Sequence, residues 1–132
     1  MQYYKFMNYL GIDYGERKIG LAKASGETKI ATPLATVFND GEVFARIADI
    51  IKTENIDIIV IGIPISFDGS ENEFAERIRK FGDEIGRITS KQVEFENEIF
   101  SSKIASQSSP DKADESSAAI ILQSFLDRLV KN

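Results

Sequence analysis

Asp13 is the first residue along the chain whose type and position could support chemistry. It ends a short apolar run over residues 9–12, and it is followed by Gly15, Gly20 and a second apolar run from Ile19. This pattern predicts a strand, a tight turn and a second strand that pairs back on the first. At that point in a hairpin an aspartate is either a structural turn residue or a ligand for a divalent cation. Both readings stay open on these residues alone.

The composition limits the chemistry that the chain can perform. Among its 132 residues there is no cysteine and no histidine. Disulfides, thiolate chemistry, Ser-His-Asp catalysis and histidine metal ligands are therefore excluded. Acid–base or metal chemistry must depend on carboxylates, lysine or tyrosine.

The net charge of −5 taken alone argues against a nucleic-acid partner, because phosphate binding usually leaves a basic footprint. That argument is weak for a carboxylate–metal enzyme, in which several acids lie beneath the cation. Length and apolar content predict a single domain over residues 1–132. Neither a signal peptide nor a membrane-spanning run is evident, so we expect a cytoplasmic protein without a membrane partner, as a monomer or weak homodimer.

Further strands are predicted over residues 29–37, 56–63 and 92–98. The first contains Pro33, which either places it at an edge of the sheet or ends it early. The second is almost continuously apolar and β-branched, as in a parallel strand buried on both faces. The third alternates Val93 and Phe95 with glutamates, as in a half-buried strand.

Three helices are predicted over about 40–54, 71–89 and 111–129. The first two have capping-box signals, Asn39 with Glu42 and Ser70 with Glu73. Ser109 and Pro110 suggest the start of the third. The order β-β-β-α-β-α-β-α predicts an α/β fold, with a five-stranded mixed sheet and helices on both faces.

Four blocks of the sequence resemble one known family. They cover residues 11–20, 60–71, 97–102, and 112–114 with 118–127. In the right order and over nearly the whole chain, they are similar to the motifs of the YqgF/RuvX-like family of bacterial pre-16S rRNA nucleases, once described as Holliday junction resolvases. The resemblance implies a ribonuclease H-like fold and metal-dependent hydrolysis of phosphodiester bonds.

The resemblance also implies the site and its partners. Asp13, Glu98 and Asp114 match the family's acidic positions, and they would hold Mg²⁺ or Mn²⁺, with Asp13 as the bridging ligand. The expected substrate is nucleic acid, foremost the precursor of 16S rRNA near its 5′ end. Ribosome-associated proteins are further expected partners.

The residues themselves leave other readings for two of these acids. Strict alternation groups Glu98 with Glu94 and Glu96, on the face predicted to meet solvent. Asp114 could simply complement the dipole at the start of the last helix.

Three further residues are candidates for substrate binding. Arg17 and Lys18 adjoin Asp13 in the predicted turn, where they either contact phosphate or form a solvated turn. Ser70 lies near a predicted helix N-terminus, which could receive a phosphate.

Two rival functions remain open. Asn97 and Ile99 depart from the family's Asp-Glu-Arg motif, and the segment 103–111 is short, which favours a catalytically weakened module that binds nucleic acid or assists ribosome assembly. A Gly-Ile-Asp-x-Gly hairpin also opens actin-like ATPases, but those proteins need two such domains. A resolvase-like DNA nuclease is a further alternative within the family.

Overall fold

The computed structural model describes residues 6–66, 68–98 and 113–131. Eight elements follow one another in the predicted order of strands and helices. They are β1 (Asn8–Asp13), β2 (Lys18–Ser25), β3 (Thr32–Phe38), α1 (Val43–Thr53), β4 (Ile58–Ile63), α2 (Glu73–Thr89), β5 (Gln92–Asn97) and α3 (Glu115–Lys131).

The five strands form one mixed sheet in the order β3-β2-β1-β4-β5. β1, β2 and β3 pair antiparallel, whereas β4 and β5 run parallel to β1. The predicted fold class is therefore confirmed. β3 is an edge strand, as Pro33 predicts, and the pairing register shifts next to its partner Ala22. Proline lacks a backbone N–H, so it is tolerated where one side of the strand has no neighbour.

Each face of the sheet packs on its own helical layer. Buried residues of α1 and α2 join Leu10, Ile12 and Ile61 in one apolar cluster. Buried residues of α3 form the other cluster, with Tyr9 and Val60. Every residue of β4 is buried, which agrees with the continuous apolar run in the sequence. None of the described helices is long and apolar enough to cross a membrane.

The capping box predicted at the start of α1 is wrong. The cap residue is Glu42, and its side chain makes no capping hydrogen bond. Instead, the Glu42 amide donates to Asp40 Oδ1 at 2.9 Å. The Asn39 side chain is engaged elsewhere, because its Nδ2 donates to the Gly15 carbonyl at 2.9 Å. This bond joins the end of β3 to the β1–β2 turn.

The capping box predicted at Ser70 is also wrong, since α2 begins at Glu73 with Asn72 as its cap. Asn72 Oδ1 accepts a hydrogen bond from the Ala75 amide at 2.9 Å. Ser70 lies two residues earlier, in a turn where its own amide donates to Asp68 Oδ1 at 2.9 Å. Ser70 and Asn72 are both favourable capping residues. Because Ser70 belongs to the turn formed with Asp68, Asn72 is the residue that caps the helix.

The third helix begins later than predicted, because α3 starts at Glu115. Asp114 precedes it, and Asp114 Oδ1 accepts a hydrogen bond from the Ser117 amide at 2.8 Å. Asp114 therefore caps α3, which bears out its predicted relation to the helix start. The start proposed at Ser109 and Pro110 lies outside the described residues, as does the segment 99–112 as a whole.

Candidate active site

The start of α3 lies directly on the backbone of β2. A Cβ atom at Gly20 would collide with the carbonyl group of Asp114. Gly20 pairs with Asp13 across the β1–β2 hairpin, and directly opposed residues present the same face of a sheet. The absent side chain at Gly20 therefore lets the backbone of Asp114 lie beside the Asp13 carboxyl group.

A second glycine makes room for Glu98. Gly62 follows Ile61, the residue of β4 that pairs with Ile12. A Cβ atom at Gly62 would lie 3.1 Å from Glu98 Oε1 and 2.6 Å from Ile121 Cδ1. The Glu98 carboxylate thus passes over bare backbone of β4 toward the end of β1. Without this gap β4 would separate Glu98 from Asp13.

Asp13 is a buried carboxyl group with unusual electrostatics. Its side chain is only 6% exposed, and its Oδ2 atom has no hydrogen-bond partner among the described residues. Burial raises its pKa from 3.8 to about 7, and the nearby charges of Glu98 and Asp114 act in the same direction. Hydrogen bonds from the Asp114 backbone and the Ser117 side chain oppose that rise. An ionised Asp13 therefore needs a positive partner.

Glu98, like Asp13, is removed from solvent to a degree that affects its pKa, whereas Asp114 is not buried. Burial raises the pKa of Glu98, which is half-buried. Asp114 is exposed, and its carboxylate is bound by the first turn of α3. Within residues 6–66, 68–98 and 113–131, no group of three acidic side chains is close enough to hold a metal ion. The structure therefore pairs Asp13 with Glu98, and it leaves the Asp114 carboxylate beside them as a helix cap.

This arrangement fits a hard divalent cation. All the donors are oxygens, and a cation would supply the partner that the buried Asp13 Oδ2 lacks among the described residues. Mg²⁺ is usually held by one or two carboxylates together with water and substrate phosphates, so two protein ligands suffice.

The β1–β2 turn carries a basic group that has no carboxylate partner in the described part of the chain. Arg17 is exposed, and it forms no ion pair with any described residue. Each of the other five arginines pairs with a carboxylate, namely Arg46 with Asp40, Arg77 with Glu16, Arg79 with Glu71, Arg87 with Glu84 and Arg128 with Glu96. The availability of Arg17 agrees with its predicted contact to phosphate, which stays a prediction.

Lys18 lies near the start of α3. It is exposed at the first position of β2, and its charge helps to lower the pKa of Glu115. The largest cause of that lowered pKa is the hydrogen bond from the Thr36 hydroxyl. Lys18 is thus at the rim of the Asp13 site, next to the residue that follows Asp114.

Ser70 has a less favourable setting for phosphate. Its amide is already bound by Asp68, and α2 has Glu73 and Glu76 in its first turn. Negative side chains at a helix N-terminus oppose the approach of an anion. Phosphate binding at Ser70 therefore stays a prediction that the local charges do not support.

Glu96 is a buried carboxylate that the sequence pattern does not predict. Alternation placed this residue on a solvent face of β5, but its side chain is fully buried beneath α3. Ser124 Oγ donates to Glu96 Oε2 at 2.8 Å, and Arg128 Nη2 donates to Oε1 at 2.5 Å. In a single sequence, the strand pattern does not distinguish a buried glutamate from the glutamates on either side of it that are predicted to face solvent. Only the path of α3 over β5 reveals it.

The Asn97 departure from the family motif falls on the other face of β5. Phe95 packs beneath α2, where its ring lies 2.7 Å from a Cβ position at Gly82 and Arg79 stacks over it at 4.9 Å. Because side chains alternate along a strand, Asn97 belongs to the face of Phe95 and not to that of Glu96. Asparagine at this position therefore removes no carboxylate from the α3 face, where Asp13 lies.

Comparison with known proteins places the chain in a family. A family model described as RuvX, Holliday junction resolvase, matches residues 7–128. The chain belongs to the RuvX family. A RuvX-family relative from Sulfurihydrogenibium sp. (strain YO3AOP1), named "Putative pre-16S rRNA nuclease", is 36% identical over 130 residues, covering 91% of this chain and 90% of the relative. A protein of the same name from Bordetella pertussis is 34% identical over 124 residues, covering 91% and 93%.

A solved structure confirms the ribonuclease H-like fold. Thermus thermophilus RuvC in complex with a Holliday junction superposes with a TM-score of 0.62, covering 93% of this chain and 96% of that chain. The sequences are only 13% identical, so this likeness concerns the fold. Together, the family and its named relatives make the chain a member of a family of nucleases.

The close approach at Gly20 yields a first prediction. Gly20→Ala should lower the free energy of unfolding by roughly 2–4 kcal/mol, because the obstructing atoms belong to backbone and α3 must move as a whole. Gly41→Ala is the matched control, since a Cβ there meets nothing within 4 Å. Urea unfolding of both variants provides the measurement. Equal stabilities would contradict the described contact.

The buried charge yields a second prediction. Since folding raises the pKa of Asp13 to about 7, ionisation of this group destabilises the metal-free protein as pH rises from about 4 to about 7. At 1.36 kcal/mol per pKa unit, Asp13→Asn should gain about 2–3 kcal/mol on the parent between pH 5 and pH 8. Urea unfolding with a chelator at both pH values measures this gain. The exposed Asp49→Asn is the control, and a gain of the same size there would contradict the assignment.

Proposed function

We propose that this protein is a Mg²⁺- or Mn²⁺-dependent nuclease whose ion is held by Asp13 and Glu98. The observation that carries the proposal is the buried Asp13 Oδ2, which has no hydrogen-bond partner among the described residues and lies near the half-buried carboxylate of Glu98, in a member of the RuvX family. Desolvating two negative charges side by side is costly, and a bound cation offsets that cost. We infer that the site exists to bind the ion.

The protein's own groups divide the remaining work. A divalent cation, when bound, neutralises charge on the phosphodiester and activates water for hydrolysis. Asp13 and Glu98 fix its position from β1 and from the end of β5. Asp114 adds negative charge at the rim, and it caps α3 by accepting a hydrogen bond from the Ser117 amide. Arg17 and Lys18 bind the phosphate backbone on the open side of the hairpin turn.

We propose precursor 16S rRNA, near its 5′ end, as the substrate. Support comes from relatives with this name that are 34–36% identical over about nine tenths of the chain. A Holliday junction is the second candidate, because the family model is described by that activity. The likeness to RuvC concerns the fold alone and does not decide between the two. We expect the protein to act in the cytoplasm with ribosome-associated proteins, as a monomer or weak homodimer.

A binding module without catalysis is less well supported than cleavage. Asn97 favoured that reading in the sequence, yet its position on the face of Phe95 leaves the Asp13–Glu98 pair intact. The other two departures, Ile99 and the short segment 103–111, lie outside the described residues.

A third prediction tests the reaction. Asp13→Asn should lower the rate of cleavage of a 5′-extended precursor 16S rRNA fragment in Mn²⁺ by at least about 10³-fold, because it removes a ligand charge while preserving shape. Asp49→Asn should cleave at the parent rate. A four-way DNA junction assayed in parallel distinguishes the two candidate substrates. If Asp13→Asn cleaves as fast as the parent, the proposed site is wrong.

A fourth prediction tests the β1–β2 turn. Arg17→Ala should raise KM for the RNA about 3–10-fold with little change in kcat, and reduce the salt dependence of binding by about one ion. Arg87→Ala is the matched control, because Arg87 is paired with Glu84 on α2. Titrations over a range of salt concentrations provide both quantities. An equal effect of the two substitutions would show that Arg17 contributes only general positive charge.

A further inference from the structure

Glu96 is a buried carboxylate that the proposed reaction does not use. It lies on β5 two residues before Glu98, and it pairs in register with Gly62, the glycine over which the Glu98 carboxylate passes. Its side chain has no exposed surface. Such a group needs a physical reason to be retained, because desolvating a carboxylate is unfavourable.

The described partners of the Glu96 side chain come from the C-terminal half of α3. Ser124 binds one carboxylate oxygen at 2.8 Å and Arg128 the other at 2.5 Å. Arg128 is 43% exposed, so the pair is solvated on one side only. Replacing a buried ion pair with apolar residues of similar volume is often neutral or stabilising. Overall stability therefore does not explain this pair, whereas fixing one arrangement of β5 and α3 does.

α3 crosses the sheet between two polar attachments. At the β3 edge Thr36 donates a hydrogen bond to Glu115, in the first turn of the helix. At the β5 edge Glu96 binds the last turns through Ser124 and Arg128. Gln123 of the same helix also binds the backbone of Lys29 and Ala31, next to β3. Apolar contacts make up the remaining interface, and they do not by themselves define a direction. The Glu96 attachment joins α3 to β5, whereas Thr36 and Gln123 join it to the β3 side of the sheet.

We propose that Glu96 is a positioning residue for Glu98, and that its attachment to α3 holds the end of β5 where Glu98 completes the cation site opposite Asp13. This inference rests on the proposed function. Asn97, the last residue of β5, is the single residue between Glu96 and Glu98, so a shift at Glu96 is passed along the backbone to Glu98. The gap over Gly62 is narrow, with 3.1 Å between Glu98 Oε1 and a Cβ position there.

The effect should reach the site through Glu98 and not through Asp114. Asp114 precedes α3 over Gly20 of β2, three strands from β5, and there Thr36 binds Glu115 in the first turn of the helix. Loss of the Glu96 attachment therefore weakens one ligand and leaves the other end of the helix in place.

The test measures Mn²⁺ binding to the full chain by calorimetry. Glu96→Leu should weaken Mn²⁺ binding about 5–10-fold while the melting temperature changes by no more than about 3 °C. In a Glu98→Gln background the same substitution should have no further effect, because its route to the ion is already lost. Glu84→Leu, which breaks the surface pair with Arg87, is the matched control and should leave binding unchanged.

The outcomes separate this inference from the proposed function. If the parent fails to bind Mn²⁺, the proposed metal site is wrong and the inference falls with it. If the parent binds and Glu96→Leu binds equally well, only the inference is overturned. An equal loss of affinity in both backgrounds would also overturn it, since that result indicates general loosening.

A second variant covers a failure of Glu96→Leu to fold. Ser124→Ala removes one neutral hydrogen bond and keeps the ion pair, so it should weaken Mn²⁺ binding about 2–3-fold, again only when Glu98 is present. Cleavage by either variant should recover as Mn²⁺ is raised, because the site is displaced and not removed. Cleavage that stays low at saturating Mn²⁺ would contradict a positioning role.

Discussion

The approach of α3 to the bare backbone of β2 and β4 is the constraint on which the rest of the structure depends. At Gly20 the Asp114 carbonyl occupies the space that any side chain would need, and at Gly62 Ile121 and Glu98 share it. Helix–sheet packing normally keeps the two backbones a side chain apart. Here that layer is missing at two points, so groups from β1, β5 and α3 meet over one small area. Asp13 lies at the centre of that area and is buried for this reason.

Stability and chemistry oppose each other at this site. An apolar residue at position 13 would satisfy the packing, and an exposed acid would cost nothing in solvation. The fold instead holds an acid whose pKa is raised to about 7 next to Glu98, whose pKa is raised by burial as well. Concentrated negative charge in a dry environment is what gives a carboxylate pair its affinity for a cation. In the proposed function, a bound cation would offset this electrostatic cost.

Much of the fold follows from local patterns. The run before Asp13 and the spacing to Gly20 predict the β1–β2 hairpin, and the apolar run of β4 predicts its burial on both faces. Site residues were harder to predict because they depend on how distant elements meet. Glu96 and Glu98 fall at alternate positions with Glu94, which predicts a side of the strand that faces solvent. In the structure α3 covers that side. The capping residue of α2 was mispredicted for a similar reason. Ser70 and Asn72 are both favourable capping types, and they differ only because the Ser70 amide is hydrogen-bonded to Asp68 in a separate turn.

The pairing of the arginines shapes how the protein meets a polyanion. Five of six guanidinium groups are neutralised by neighbouring carboxylates, and the net charge is −5. Such a surface offers little long-range attraction to nucleic acid, so random encounters with abundant RNA lead to few lasting complexes. In the proposed function, the strand is bound at the hairpin turn around Arg17. Low affinity for nucleic acid in general is then a source of selectivity. The shape of the substrate, or a protein bound to it, brings the strand to the site, and long-range electrostatic attraction by the enzyme does not.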